Sequence, residues 1–332
     1  MPKKKPQPPH LKIISHRGAS GHRPEHTLAS YELGARYGGD FIEVDLVATA
    51  DGHLIARHEP EIGQTTDVAS RPEFADRRRT VTIDGREVTG FFAHDFTLAE
   101  IKTLRAVERL PDVRPYNAEL NGRYEIPTLE EIVDLADELT RELGRPIGVY
   151  PETKHPSYHA SLGLDLEPPL IALLRERGLH GPEPRLPVFL QSFEADSLRK
   201  LQELEVPLVF LMGTGEQWQR YTTPEGLAEV ASFAQAIGPE KSLVIPVTEE
   251  GGLGEPTSLV ADAHEAGLLV HPYTFRSENH FLPPKLRSGD DPTAYGSFAA
   301  EYEAFFAAGV DGVFTDHSRH AFLAREMFLA QA

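Results

Sequence analysis

The chain has 332 residues, 40% of them hydrophobic, with 33 basic against 51 acidic side chains and a net charge of −18. It has no cysteine, which removes disulfides, thiolate nucleophiles and cysteine-based zinc sites together. A surface this acidic disfavours nucleic acid and anionic lipid, both of which select basic faces.

Residues 1–9, MPKKKPQPP, are basic and proline-rich and read as a disordered tail. No apolar run follows that could form the core of a signal peptide. The chain therefore reads as cytoplasmic, or as periplasmic or secreted if a leader has been removed. No stretch approaches the ~18 consecutive apolar residues of a membrane span, so no stable membrane association is expected.

Residues 11–15 (LKIIS) read as a buried strand, and residues 27–37 as a helix capped by Thr27 and ended by Gly38-Gly39. Residues 40–48 (DFIEVDLVA) form the next strand, followed by an Asp51-Gly52 turn and a short return ending at His58-Glu59. A Thr128-x-x-Glu131 capping box opens a helix over 128–143, closed by Gly144. Further strands are expected at 146–152, 187–193, 207–212, 242–247, 268–275 and 310–316. Helical patterns occupy 194–204, 225–237, 257–266, 297–308 and 318–330.

Leaving out the short return, eight strands alternate with helices, which implies a parallel sheet. Eight such units are the count of a (β/α)8 TIM barrel. The competing architecture is an open doubly wound sheet, but no G-x-G-x-x-G follows the first strand. A barrel takes about 250 residues, so the chain has spare length. Residues 61–123, polar and charged, read as an insertion after strand two on the barrel's C-terminal face. Residues 240–255 read as a long loop on the same face. On this reading residues 10–332 are a single TIM-barrel domain.

Barrel active sites form at the C-terminal ends of the strands, and the polar residues there are His16-Arg17, Glu43, Asp45, His58-Glu59, Glu152, Lys154, Gln191-Ser192-Phe193, His271, Tyr273, Arg276 and Thr315-Asp316. Glu43 and Asp45 are two apart and face the same way along a strand. In a run of Phe, Ile, Val and Leu that shared face is the interior, where unpaired carboxylates are costly. A cation between them resolves the repulsion. Oxygen ligands suit Ca²⁺ or Mg²⁺ better than zinc, and Glu152 is the natural third ligand. The alternative for Glu43 and Asp45 is ion pairing with arginines at the sheet end.

His16 and His58 beside these carboxylates suit acid/base work near pH 7, although either could be a merely hydrogen-bonded histidine. Arg17 and Lys154 either neutralise the cluster or hold an anionic substrate. His22, Arg23 and His26 gain no chemical role and read as scaffold. The set fits hydrolysis of a phosphoester: a divalent ion offsets phosphate charge, the cations stabilise the transition state, and two imidazoles move protons.

The motifs HRGASGHRPEHT, EVDL, RHE, YPETK and VHPYTFRS, in this order, closely resemble the glycerophosphodiester phosphodiesterases, most of all the bacterial periplasmic type, over residues 13–315. The resemblance implies a TIM barrel of the PLC-like phosphodiesterase type. It implies His16 and His58 as the acid/base pair, Glu43, Asp45 and Glu152 as ligands of one divalent cation, and Arg17 and Lys154 near the phosphate. The aromatic groups on this face, Phe193, Tyr273 and Phe275, either pack against the carbon skeleton of a glycerol moiety or simply fill the barrel. The implied substrate is a small-molecule glycerophosphodiester, cleaved to sn-glycerol 3-phosphate and an alcohol. Lysolipid cleavage of the phospholipase D kind and a non-catalytic phosphodiester-binding barrel are the rivals. Glu59 departs from the family's usual aspartate and is longer by one methylene.

Overall fold

The computed structural model describes residues 11–331, so the tail expected over 1–9 lies outside them. In chain order the strands are β1 (Lys12–Ser15), β2 (Phe41–Ala48), β3 (Leu54–Ala56), β4 (Arg79–Ile83), β5 (Arg86–Gly90), β6 (Gly148–Thr153), β7 (Leu190–Ser192), β8 (Leu208–Met212), β9 (Ala236–Pro239), β10 (Leu269–Val270) and β11 (Gly312–Thr315). The main sheet runs β10-β9-β8-β7-β6-β2-β1-β11, and each of these neighbouring pairs is parallel. The two ends meet. Phe314 N–H donates to Pro272 O at 3.1 Å, Phe275 N–H to Phe314 O at 2.8 Å and Asp316 N–H to Phe275 O at 3.1 Å. Eight parallel strands thus form a nearly closed (β/α)8 barrel, with β3 as an antiparallel return on β2.

Local signals set the elements as expected. Thr27 caps the helix Leu28–Arg36 by accepting from Ser30 N–H at 3.1 Å. Thr128 and Glu131 form a reciprocal capping box on Leu129–Leu143, and Gly144 ends that helix at φ 64°. The sixth strand is a correction. Residues 242–247 are not a strand; Lys241–Leu243 is a 3-10 turn, and Val244 and Ile245 are buried in the core outside the barrel. The strand is β9, which begins six residues earlier at Ala236, and the preceding helix stops at Ala231. Ala236 and Gly238 carry no periodic apolar signal, so the helical pattern before them absorbed the strand.

Inside the barrel, Ile14, Phe41, Tyr150, Phe189, Val209, Ala236 and Phe314 fill the lumen. Tyr150 and Phe189 stack at 5.1 Å, and Tyr150 Oη meets His271 Nδ1 at 2.9 Å. The lower barrel is therefore packed core, and His271 belongs to it rather than to the mouth. Residues 61–123 carry the β4–β5 hairpin and a hydrophobic cluster built on Ile62, Val68, Phe74, Phe91, Phe96, Ile101 and Leu104, which joins the barrel through Val47 and Ile55. No helix among the described residues is long and apolar enough to cross a membrane.

Candidate active site

β1 ends at Ser15 and hands the chain to His16 and Arg17 at the barrel mouth. Arg17 adopts φ 58°, in the left-handed region, which turns its N–H onto Glu43 Oε2 at 2.6 Å. Gly18 follows at φ 85°, where a Cβ would lie 2.5 Å from Ser30, so glycine is required there. The sharp turn delivers two polar side chains to one point without a longer loop.

Glu43 and Asp45 point to the same side of β2, and Asp45 stands opposite Glu152 in the β2–β6 register. Ligand oxygens of the three carboxylates all lie within 4.8 Å of one another. Their residues are only 1%, 1% and 5% exposed, so the charge is desolvated and must be compensated. Lys154 Nζ lies 2.8 Å from Glu152 Oε1 and 3.7 Å from Asp45 Oδ1; Arg17 Nε lies 3.4 Å from Asp45 Oδ2. Gln191 Nε2 donates to Glu43 Oε1 at 3.1 Å. Burial, with Asp45 and Glu152 alongside, pushes the Glu43 carboxyl well above its ordinary value. Burial likewise raises Glu152 to about 8, against Lys154. Burial would raise Asp45 too, but Lys154, His58 and His26 hold it well below the carboxylate range.

These residues fit a hard divalent ion. The donor set is all oxygen, and three carboxylates converge in a desolvated mouth where their mutual repulsion calls for a cation. Glu152 Oε1 is buried without a directed hydrogen bond, despite its ion pair with Lys154, as is Gln191 Oε1.

Each imidazole is anchored through Nδ1. His16 Nδ1 meets Asp316 Oδ1 at 2.6 Å, and Asp316 Oδ2 accepts from Arg114 Nη2 at 2.6 Å and Arg276 Nε at 2.8 Å. His58 Nδ1 bonds Glu59 Oε1, and Arg109 grips both oxygens of Glu59, Nη1–Oε1 at 2.9 Å and Nη2–Oε2 at 2.7 Å. The longer acid at position 59 therefore still reaches its histidine, and it adds no atom to the three-carboxylate group. Burial and Arg17 lower His16 to about 4, with Asp316 opposing; burial, Arg17 and Lys154 lower His58. With Nδ1 of each ring engaged by a carboxylate, Nε2 is the nitrogen those carboxylates leave unoccupied.

One cavity of about 380 Å³ is lined by His16, Arg17, Glu43, Asp45, His58, Glu152, Lys154, Phe193 and Tyr273 together, which are the site residues expected from the sequence apart from Phe275. Phe275 is the exception among the aromatics. It turns out of the mouth and stacks on Tyr302 at 5.0 Å in the core behind the barrel. Sequence reasoning also misplaced His26, whose Nε2 meets Asp45 Oδ2 at 2.8 Å while Nδ1 meets Tyr31 Oη at 2.7 Å. Glu25 braces the first loop, accepting from Arg17 Nη1 at 3.0 Å. Asp316 and Gln191 were visible as strand-end polar groups. Arg109 and Arg114 gave no signal, because their partners are 50 to 202 residues away.

The fold and this mouth together define a TIM-barrel phosphodiesterase. The model of the glycerophosphoryl diester phosphodiesterase family matches residues 16–320. The chain is 36% identical over 323 residues to a glycerophosphodiester phosphodiesterase of Arabidopsis thaliana, covering 91% of this chain and 82% of that one. It is 28% identical to the glycerophosphodiester phosphodiesterase of Haemophilus influenzae, covering 92% and 86%. Among solved structures, an Oleispira antarctica phosphodiesterase in complex with the product sn-glycerol-3-phosphate shares the fold at TM-score 0.60 and 19% identity, covering 95% and 96%. A glycerophosphodiester phosphodiesterase from Thermotoga maritima does so at TM-score 0.55 and 14% identity, covering 96% and 98%. The chain belongs to the glycerophosphoryl diester phosphodiesterase family and is a phosphoric diester hydrolase.

Proposed function

We propose that the protein hydrolyses small glycerophosphodiesters, such as glycerophosphocholine or glycerophosphoethanolamine, to sn-glycerol 3-phosphate and the head-group alcohol. The observation that carries this is the single cavity shared by the carboxylate cluster and two carboxylate-anchored imidazoles. The sn-glycerol-3-phosphate held by the Oleispira antarctica relative supports the glycerol side of the substrate.

Glu43, Asp45 and Glu152 would hold one divalent cation, Ca²⁺ or Mg²⁺, which when bound offsets phosphate charge and polarises the phosphorus–oxygen bonds. Arg17 and Lys154, already beside the carboxylates, attract the phosphodiester anion and stabilise charge on its oxygens as the transition state forms. Both imidazoles are neutral at pH 7 in this environment, which suits a base: one accepts the proton of the attacking hydroxyl at Nε2. The other takes up a proton as the anionic substrate arrives and returns it to the departing alkoxide. Asp316 and Glu59, on Nδ1, stabilise the charged rings. Phe193 and Tyr273, 6.1 Å apart at the wall, face the carbon skeleton of the glycerol.

Product analysis tests the reading. Glycerophosphocholine should yield glycerol 3-phosphate and choline in equal amounts, read by a coupled dehydrogenase assay and choline oxidation. Release of phosphocholine and glycerol instead would overturn the assigned bond.

A further inference from the structure

Residues 61–123 leave the barrel after β3 and carry their own apolar cluster, which alone would make them an appended lobe. Two of their arginines reach elsewhere. Arg109 spans two carboxylates at once, holding Glu59 through both guanidinium Nη atoms and Glu25 through Nε at 3.0 Å and Nη2 at 2.6 Å. Arg114, 7% exposed, donates to Asp316 Oδ2 at 2.6 Å, to Glu278 Oε1 at 2.7 Å and to Ser20 O at 3.0 Å. Glu59 is the partner of His58, and Asp316 is the partner of His16. The insertion therefore places one arginine on each of the two carboxylates that anchor the two imidazoles.

We propose that the insertion is a working part of the site, with Arg109 and Arg114 as positioning residues that lock the Glu59–His58 and Asp316–His16 pairs. This rests on the reading of His16 and His58 as the proton-transfer groups. The physical need differs between the two pairs. Asp316 is buried and also has Arg276 from the barrel, so Arg114 shares its duty and in addition seals Glu278. The Glu59 side chain is 37% exposed and has one extra methylene of freedom. Without a fork it would trade its histidine for water and rotate. Arg109 is the group that prevents this, because a planar guanidinium can hold both oxygens of one carboxylate while touching a second.

The asymmetry sets the experiment. Arg109 is the informative variant, since its side chain is 20% exposed against 6% for Arg114, so its replacement disturbs the less buried of the two. Arg109→Gln should lower kcat roughly a hundredfold, the cost of a misplaced catalytic group, with KM changed less than about threefold. Arg109→Lys, which keeps the charge but not the fork, should recover little of the loss. The decisive comparison is a double-mutant cycle with Glu59→Gln. If Arg109 acts through Glu59, Arg109→Gln in that background should cost less than about threefold further. Full additivity, a loss confined to KM, or a kcat within about twofold of wild type in a folded Arg109→Gln protein would each overturn the proposal. His58→Ala is the separate control: if it keeps full turnover, the reading of His58 fails, whatever the Arg109 variants do.

Discussion

His26 shows at the scale of single residues how much of the site depends on groups behind the ligands. Its ring bridges Tyr31 and Asp45, fixing the rotamer of a carboxylate that also lies beside the cations Arg17 and Lys154. Partners of this kind typically change metal affinity by tenfold to a hundredfold. His26→Ala should therefore weaken Ca²⁺ or Mg²⁺ binding by about tenfold or more in calorimetric titration, and an unchanged affinity would show that Asp45 needs no brace. The first-contact residues were legible because the barrel fixes where strand ends go and alternation fixes which side chains face inward. His26 was not, because nothing in its local sequence says that the loop folds back on β2. Phe275 failed for a related reason: Tyr273 and Phe275 are two apart and would share a face in a regular strand, but the regular strand ends at Val270.

At the scale of elements, helices with caps were the most legible. The Thr128–Glu131 box was expected from four residues and is present with both bonds, 3.3 Å and 2.8 Å. Thr128→Ala should cost about 1 kcal/mol of stability with no change in KM, measured by urea denaturation alongside steady-state kinetics; a loss of catalytic rate would mean that the helix does more than support β6. β9 was the least legible element, since a four-residue strand of Ala, Ile, Gly and Pro is specified by its neighbours rather than by its own pattern. Its displacement matters functionally. Ending at Pro239, β9 sends Glu240 and Lys241 to the cavity wall, and Lys241 is held there by Glu301 at 2.6 Å.

Across the molecule several histidines sit where the folded chain disfavours their protonated form. Burial lowers His16, His22, His271 and His320 each to about 4. Their ordinary value in an unfolded chain is about 6.5. A depressed folded value means that the unfolded chain binds protons first as the pH falls. The stability these residues contribute is complete above pH 6.5 and is lost progressively towards pH 4. Glu43 and Glu152 act in the opposite sense without an ion, because their raised values favour the folded state as the pH falls, for Glu152 from about 8. A bound ion ionises them and removes that compensation. With saturating divalent ion, the urea midpoint should therefore fall steeply between pH 6.5 and 4; a flat profile over that window would contradict the neutral assignment. The barrel and its three-carboxylate corner could be read from the sequence, because both follow from strand periodicity and strand ends. The way the insertion grips the mouth could not, since it is made by long side chains whose partners lie up to 202 residues away.

The most direct measurement of the central claim combines chelation with loss of one imidazole. Purified protein is stripped with EDTA, supplied with Ca²⁺ or Mg²⁺ in turn, and assayed for glycerol 3-phosphate release from glycerophosphocholine, beside His16→Ala treated identically. Wild-type turnover should vanish on chelation and return with a divalent ion, while His16→Ala should stay at least about a hundredfold lower at unchanged ion affinity. Turnover that survives chelation, or that survives in His16→Ala, would contradict the account.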